Sequence, residues 1–244
     1  MPLLFEDKIT LERRVREGAL RVAVYGMGGV GLAIATVWLR VGAKVLGVDV
    51  DSDKVNRLNR GIIDHEEKVV IETLKNALEK KFFRATTDGI LASKESDLKI
   101  VIVPLLLKNG EPDFNPLIDA TTKIGKGLKR GDVVVVETSV PPGTTEELVK
   151  EILERESGLR VEEDFGLAYS PERVMVGRAV KDIEERYPKI VAGIGPRSTN
   201  IVKTLYSLIA SRGIIVMSSP RAAELEKLVE GAYRDVNIAL ANEV

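Results

Sequence analysis

Residues 21–49 carry the pattern that most constrains the fold of this chain. The β-branched run Arg21–Tyr25 leads directly into Gly26-Met27-Gly28-Gly29-Val30-Gly31, then into a helical stretch and a second β-branched run that reaches Asp49. A strand that turns through glycines into a helix and returns as a strand is a βαβ unit, which requires parallel strands. The segment therefore predicts an α/β fold built on a parallel sheet.

The rest of the chain repeats this alternation of apolar runs and helical patterns, which predicts a Rossmann-type, doubly wound, mainly parallel sheet. The predicted strands are Arg21–Tyr25, Lys44–Val50, Phe83–Thr86, Lys99–Val103, Asp132–Glu137, Leu167–Tyr169, Lys189–Ala192 and Gly213–Met217. The predicted helices are Val30–Val41, Lys54–Arg60, Glu66–Lys80, Pro116–Leu128, Glu146–Glu154 and Thr199–Ser211. Thr144-Thr145-Glu146-Glu147 predicts a capping box at one helix start.

The last segment has a different pattern. Residues 221–244 predict one long amphipathic helix, because apolar residues recur at helical spacing and no capping residue ends it. We therefore expect a Rossmann-type domain over residues 1–217 and, over 218–244, the first part of a central helix that continues in a longer protein. The alternative is a terminal helix that docks on the sheet. The apolar stripe consists of Leu225, Leu228, Val229, Val236 and Leu240.

Composition narrows the function classes. The formal net charge of -1 gives no general attraction to nucleic acid or membrane surfaces. No apolar run is long enough to span a bilayer, and acids throughout residues 1–20 argue against a signal peptide, so we expect a cytoplasmic protein. The absence of cysteine rules out disulfides and thiolate chemistry within this sequence, and we expect no metal site. Lys, Arg and Glu are abundant and Gln is absent, which is typical of thermophiles.

The glycine turn predicts a dinucleotide site. Gly26 permits the tight turn, Gly28 lets backbone approach a pyrophosphate, and Gly31 allows close packing of helix on strand, while Val30 opens the helix whose N-terminus faces the phosphates. Asp49 lies 21 residues after Gly28, where an acid hydrogen-bonds the ribose hydroxyls.

The same acid bears on the choice of dinucleotide. Its charge would repel a 2′-phosphate, and positions 50–53 offer no arginine to compensate, so NAD is favoured over NADP. The structural alternative for Asp49 is a capping role at the next helix. Asp51 and Ser52 are available for that role.

Two further motifs follow predicted strands, at the sheet edge where open α/β sheets bind ligands. The first runs from Glu137 to Thr145 and the second from Tyr169 to Gly177. Without other information the first is a turn before a capped helix, and Glu172 in the second is a surface acid.

Taken together, these motifs resemble the N-terminal region of the UDP-glucose/GDP-mannose dehydrogenase family, from Arg21 to Val244. The forms Glu172-Arg173-Val174 and Arg234–Asn237 are most similar to its UDP-N-acetyl-D-mannosamine dehydrogenases. The resemblance is carried by the glycine turn with Asp49, Asn109–Asp113, Glu137–Thr145, Ser170–Val174, Ala223–Leu225 with Lys227, and Arg234–Glu243.

The resemblance implies a four-electron oxidation with two NAD+, in which the C6 alcohol of a UDP-hexose becomes an aldehyde, a cysteine-bound thioester and finally an acid. It implies catalytic roles for Ser139 in placing water, Glu172 as general base and Lys227 in stabilising the oxyanion, and Ser139 also contacts the cofactor. It further implies a homodimer formed through the final helix. The substrate-binding residues implied are Glu172, Arg173, Val174, Lys227, Arg234 and Asn237.

This sequence departs from the family pattern at three places. Gly231 replaces an asparagine that helps hold the reacting oxygen, and Leu105-Leu106 replaces a Thr-Pro pair near the cofactor. The family's cysteine loop and UDP-binding domain do not occur in this sequence. We therefore expect the chain to bind NAD without turnover. The alternatives are a UDP-glucose 6-dehydrogenase and a non-catalytic NAD-binding or assembly module.

Helical spacing places Lys227, Gly231, Arg234 and Ile238 on one face of the final helix. We expect Lys227 and Glu172 to lie near each other and near Ser139, with Gly231 marking a close approach on the same face. The alternative is an ordinary solvated face. His65, the only histidine, is interpreted as a surface residue without a role.

Overall fold

Eight strands form a single sheet in the computed structural model, which describes residues 2–244. The order across the sheet is β10-β9-β8-β7-β4-β1-β2-β3, and all neighbours are parallel except β8 and β9. The short strands β5 and β6 pair as a separate antiparallel hairpin. The strands are β1 (Arg21–Tyr25), β2 (Lys44–Val48), β3 (Phe83–Thr86), β4 (Leu98–Val101), β5 (Leu107–Lys108), β6 (Glu111–Pro112), β7 (Val133–Val136), β8 (Gly166–Tyr169), β9 (Lys189–Gly193) and β10 (Ile214–Val216).

Helices cover both faces of this sheet and divide the apolar core into two layers. Successive side chains of β1 point to opposite faces, so Val22 and Val24 join one buried cluster while Ala23 and Tyr25 join the other. The helices are α1 (Lys8–Arg16), α2 (Gly29–Arg40), α3 (Ser52–Asn59), α4 (Lys68–Glu79), α5 (Gly89–Glu95), α6 (Asn115–Gly127), α7 (Lys150–Ser157), α8 (Ala179–Lys181), α9 (Pro196–Tyr206) and α10 (Pro220–Glu243), with a 3-10 turn at Leu3–Phe5 and π turns at Thr145–Val149 and Asp182–Arg186.

The predicted Rossmann-type fold is confirmed, and each predicted strand exists within two residues of its predicted ends. Three helices were missed. α1 lies in a highly charged segment with few apolar positions, and α5 and α8 are too short for a clear periodicity. No helix within residues 2–244 is long and apolar enough to cross a membrane.

The predicted capping box at Thr144 is wrong. Thr144 already has helical backbone angles, and its hydroxyl donates a hydrogen bond to the carbonyl of Pro141 at 2.6 Å. The free N–H groups of this helix start are instead satisfied by Glu224, which accepts from Gly143 N–H at 2.5 Å and Thr145 N–H at 2.9 Å. A carboxylate from a distant helix therefore replaces the local motif.

The final helix α10 begins at a Ser219 cap, whose hydroxyl accepts a hydrogen bond from Ala222 N–H. Only its first turn is buried, through Pro220, Ala223 and Glu224. The predicted apolar stripe farther along the helix is exposed, so α10 does not dock along the sheet.

Candidate functional site

The turn after β1 requires two of its glycines for steric reasons. Gly26 has φ +102, and a Cβ there would lie 2.4 Å from the carbonyl oxygen of Ile102. A Cβ on Gly31 would lie 1.9 Å from the carbonyl oxygen of Gly26, so the first turn of α2 packs directly on the loop. Gly28 has no atom within 4 Å of its Cβ position and opens toward solvent.

This turn forms one wall of a cavity of about 680 Å³ at the carboxyl ends of β1, β2 and β4. Its volume is in the range of small-molecule and cofactor sites. Gly28 caps α2 without any side-chain hydrogen bond, so the first N–H groups of the helix are free for an anion. The site therefore fits a dinucleotide pyrophosphate. The cavity is lined by, among others, Gly26, Gly28, Val30, Gly31, Asp49, Lys54 and Pro104.

Asp49 lies on the rim of this cavity, after β2. Its carboxylate accepts hydrogen bonds from the N–H groups of Met27 and Asp51, each at 3.0 Å, and pairs with Lys54 Nζ at 2.9 Å. Partial burial raises the pKa of Asp49, but the hydrogen bonds from Asp51, Lys54 and Met27 outweigh burial and lower that pKa below its usual value. Asp51, one of the two residues available for that role, caps α3, which leaves Asp49 beside the dinucleotide loop.

Two neighbours of this loop were not predicted. Lys54 lies one position beyond residues 50–53, which contain no arginine, and it forms the ion pair with Asp49. His65 is half-buried rather than an isolated surface residue. Its Nδ1 accepts a hydrogen bond from Glu67 N–H at 3.0 Å, so Nε2 carries the proton and donates to the carbonyl of Gly29 at 3.1 Å. The contact of His65 with Gly29 joins residues 36 positions apart, so local sequence does not define it.

The motifs Glu137–Thr145 and Tyr169–Gly177 follow the neighbouring strands β7 and β8 and begin at the same edge of the sheet. β7 and β8 are parallel and Val136 pairs with Tyr169, so Ser139 and Glu172 each lie three residues beyond the same point of the sheet edge. Ser139 is exposed, whereas the Glu172 side chain is 8% exposed and pairs with Lys189 Nζ at 2.5 Å. Neither residue lines the dinucleotide cavity.

Lys227 lies on the second turn of α10, half-buried and 3.9 Å from Glu230. Burial lowers the pKa of Lys227, with Arg234 adding to this effect, while the charges of Glu230, Glu172 and Glu226 oppose it. The Glu172 charge thus acts on the Lys227 ammonium group, and no hydrogen bond joins Ser139 to either side chain.

The expected substrate-binding residues have different surroundings. Arg173 donates to the carbonyl of Pro188, lies over the Tyr187 ring and is 3.8 Å from Glu230, so it ties its loop to α10. Val174 packs partly against the core. Arg234 and Asn237 are exposed on α10. No atom of residues 2–244 outside the helix's own backbone approaches the Cβ position of Gly231 within 4 Å, so this chain does not make the expected close approach.

Sequence reasoning also missed a buried charged cluster behind Glu172. Lys189, at the start of β9, lies between two carboxylates, Glu172 and Glu137, and the hydroxyl of Tyr206 donates to Glu137. Burial raises the pKa of Glu137 to about 8; Lys189 opposes this shift and the Glu172 charge adds to it. The only signal in the sequence was a lysine at the first position of an otherwise apolar strand.

The glycine turn after β1, the free N-terminus of α2 and the carboxylate after β2 define a dinucleotide-binding Rossmann domain of the dehydrogenase class. The sequence model of the UDP-glucose/GDP-mannose dehydrogenase family, NAD binding domain, matches residues 20–210. The chain belongs to this family, and its cofactor is NAD.

Individual relatives agree with this assignment. The chain is 35% identical to UDP-N-acetyl-D-mannosamine dehydrogenase of Pyrococcus horikoshii, over 92% of this chain and 53% of the relative. It is 39% identical to UDP-N-acetyl-D-glucosamine 6-dehydrogenase of Pseudomonas aeruginosa, over 92% of this chain and 52% of the relative. The crystal structure of NDP-N-acetyl-D-galactosaminuronic acid dehydrogenase from Methanosarcina mazei Go1 superposes with a TM-score of 0.82 at 38% identity, over 98% of this chain and 52% of that chain. The chain thus spans about half the length of the curated relatives it matches.

Proposed function

We propose that this chain is the NAD-binding part of a nucleotide-sugar dehydrogenase that oxidises the C6 alcohol of a UDP-hexose to the uronic acid. The overall reaction consumes two NAD+ and one water and yields the carboxylate, two NADH and three protons. The observation that carries the proposal is the dinucleotide cavity, with the free N–H groups of α2 at one end and the Asp49 carboxylate on its rim.

UDP-N-acetyl-D-mannosamine is the substrate that we favour. The form of the Glu172-Arg173-Val174 and Arg234–Asn237 segments supports it, as does the similarity to the UDP-N-acetyl-D-mannosamine dehydrogenase of Pyrococcus horikoshii. UDP-glucose is the alternative within the family. The Pseudomonas aeruginosa relative acts on UDP-N-acetyl-D-glucosamine, so its 39% identity supports an N-acetylated hexose more than glucose.

The proposed catalytic groups are Ser139, Glu172 and Lys227. Bound NAD+ supplies the hydride acceptor. Ser139 is an exposed hydroxyl at the sheet edge and would position water. Glu172 would take the proton from that water as general base. Lys227 is a cation within electrostatic range of Glu172 and would stabilise the developing oxyanion.

The remaining proposed roles concern binding and assembly. Arg173, Val174, Arg234 and Asn237 would contact the sugar nucleotide. The apolar stripe of α10 would form the interface of a homodimer, because its side chains are exposed here. A non-catalytic NAD-binding module is the second candidate, favoured by the presence of Gly231 and Leu105 at positions where the family has polar groups.

Calorimetric titration of the chain with NAD+ and NADP+ tests the cofactor site. We expect NAD+ to bind at least roughly tenfold more tightly, because the 2′-phosphate of NADP+ would lie against the Asp49 carboxylate. Asp49→Ala should weaken NAD+ binding and reduce that preference. Asp53→Ala, which removes an exposed carboxylate from the adjacent helical turn, is the matched control and should change neither affinity. Equal affinities for the two cofactors in the wild-type chain would refute the ribose assignment.

A further inference from the structure

Glu137, Glu172 and Lys189 form a buried group with more negative than positive charge. Their side chains are 1%, 8% and 4% exposed, respectively. Lys189 Nζ lies 2.5 Å from Glu172 Oε1 and 3.3 Å from Glu137 Oε1. If both carboxylates were ionised, a single ammonium group would have to balance two buried negative charges. Such an uncompensated charge away from water is strongly unfavourable, so one carboxyl in the pair should hold a proton.

The geometry identifies which of the two holds it. Lys189 is closer to Glu172, as expected for a carboxylate paired with an ammonium group. Glu137 lies deeper, its Oε1 accepts from the Tyr206 hydroxyl, and its Oε2 has no hydrogen-bond partner. A fully buried carboxylate oxygen without a donor is costly, whereas the neutral acid carries no charge and its O–H has the Glu172 carboxylate as an acceptor. These observations favour Glu137 as the neutral member.

Other ionisable groups nearby do not supply the missing positive charge. Lys227 on α10 interacts electrostatically with Glu172, but Glu226 and Glu230 flank it on the same helix, and Arg173 pairs with Glu230. Tyr206 on α9 and Tyr169 on β8 are buried, and burial together with neighbouring carboxylates raises the pKa of both hydroxyls. The charge balance inside the cluster therefore depends on the proton and on Lys189.

We propose that Glu137 is a positioning residue that carries a proton at neutral pH, and that it and Lys189 together hold Glu172 at the sheet edge in its base form. A neutral Glu137 leaves Lys189 free to pair with Glu172. An ionised Glu137 would compete for the same ammonium group. The part of this proposal that concerns base catalysis rests on the proposed function of Glu172, whereas the proton on Glu137 does not.

The test is carbon-13 NMR of the full chain labelled at the glutamate carboxyl carbons, recorded from pH 5 to pH 9. Glu137→Gln identifies the Glu137 signal, and Glu172→Gln removes its partner. We expect the Glu137 signal to be that of a protonated acid at pH 7. In Glu172→Gln, Lys189 has no other carboxylate, so the Glu137 titration should move down by more than about one pH unit. Glu151→Gln, at an exposed position, is the control and should leave that titration unchanged.

Urea unfolding of the same proteins supplies a second measurement. A Glu137 pKa raised from 4.5 to about 8 means that the native state holds a proton that the unfolded state releases in this pH window. Stability should therefore fall as pH rises from 5 toward the native pKa, with the unfolding constant increasing by up to about tenfold per unit from this one proton, and should level off above that pKa. That contribution should be missing in Glu137→Gln, whose neutral amide resembles the neutral acid and should permit folding.

A carboxylate signal for Glu137 at pH 7, a titration insensitive to Glu172→Gln, or a Glu137→Gln chain unable to fold would each overturn the proposal. None of these outcomes involves NAD or a sugar nucleotide. Failure of the proton assignment is thus distinguishable from failure of the proposed function, which the calorimetric titration tests separately.

Discussion

Gly31 and Gly231 both lie inside helices, yet their surroundings are opposite. A Cβ on Gly31 would lie 1.9 Å from the carbonyl oxygen of Gly26, whereas a Cβ on Gly231 would meet nothing within 4 Å. Gly31→Ala should therefore lower the free energy of unfolding by about 1–3 kcal/mol, through overpacking of the dinucleotide loop. Gly231→Ala should raise it by up to about 1 kcal/mol, because alanine is the better helix former.

Urea unfolding with and without NAD+ measures both effects. NAD+ should stabilise Gly231→Ala as it does the wild-type chain, and Gly31→Ala less, since its loop is displaced. If the two substitutions changed stability in the same direction, the close approach of α2 to the loop could not be the reason for Gly31.

The residues of the dinucleotide site could be identified from the sequence because their spacing along the chain defines their roles. Gly26, Gly31 and Asp49 belong to one βαβ unit, and the turn and second strand of that unit fix their positions. Lys189 pairs with Glu172 and Glu137 only because β9 runs beside β8 in the folded sheet. No pattern within the sequence specifies that neighbour, so the buried cluster could not be predicted.

One of the contacts that dock α10 also caps another helix. Fully buried Glu224 accepts hydrogen bonds from Gly143 and Thr145 N–H at the start of the helical segment after β7. Glu224→Ala would leave both donors buried without partners, and we expect a loss of about 1–3 kcal/mol in the free energy of unfolding. Urea denaturation monitored by circular dichroism measures this loss.

Glu243→Ala is the matched control, because it removes an exposed carboxylate from the other end of the same helix. It should leave stability unchanged within about 0.5 kcal/mol. Equal effects of the two substitutions would mean that Glu224 does not cap the segment after β7.

The sequence predicted a helix correctly where the periodic apolar pattern was long enough, as in α2, α4 and α6. The capping box failed for a different reason. Thr144 and Glu147 have the right spacing, but Glu224 outcompetes them from 77 positions beyond Glu147 in the sequence. Local patterns describe what a segment can form alone, and tertiary partners decide which option is used.

At the scale of the whole molecule, the alternation of apolar runs and helical patterns along the sequence predicted parallel strands but not the order of those strands in the sheet. Neither the place of β4 between β1 and β7 nor the reversed direction of β9 against β8 follows from the sequence, because both depend on how crossover connections pack. The reversal matters for the site, since it brings the start of β9, with Lys189, to the carboxyl end of β8.

Catalysis by the purified chain is expected to be absent. The proposed reaction needs a thiol to form the thioester, and the chain contains no cysteine. Incubation with NAD+ and UDP-N-acetylmannosamine should therefore give no NADH absorbance, while the same preparation binds NAD+ by calorimetry. Sustained NADH formation would contradict the cysteine-dependent mechanism.

A coding sequence that continues into a glycine-rich cysteine loop beyond Val244 would favour the enzyme over the non-catalytic module.

Self-association through α10 is the final expectation, and the helix provides its own control. Val236 belongs to the apolar stripe and is 66% exposed, while Ile238 is 54% exposed and lies about 200° around the helix, on the face of Lys227. Exposed apolar residues that continue along one face favour burial against a second copy. Sedimentation velocity should show a concentration-dependent dimer for the wild-type chain and Ile238→Glu, and a monomer for Val236→Glu. A monomeric wild-type chain, or equal disruption by both substitutions, would remove the stripe as the proposed interface.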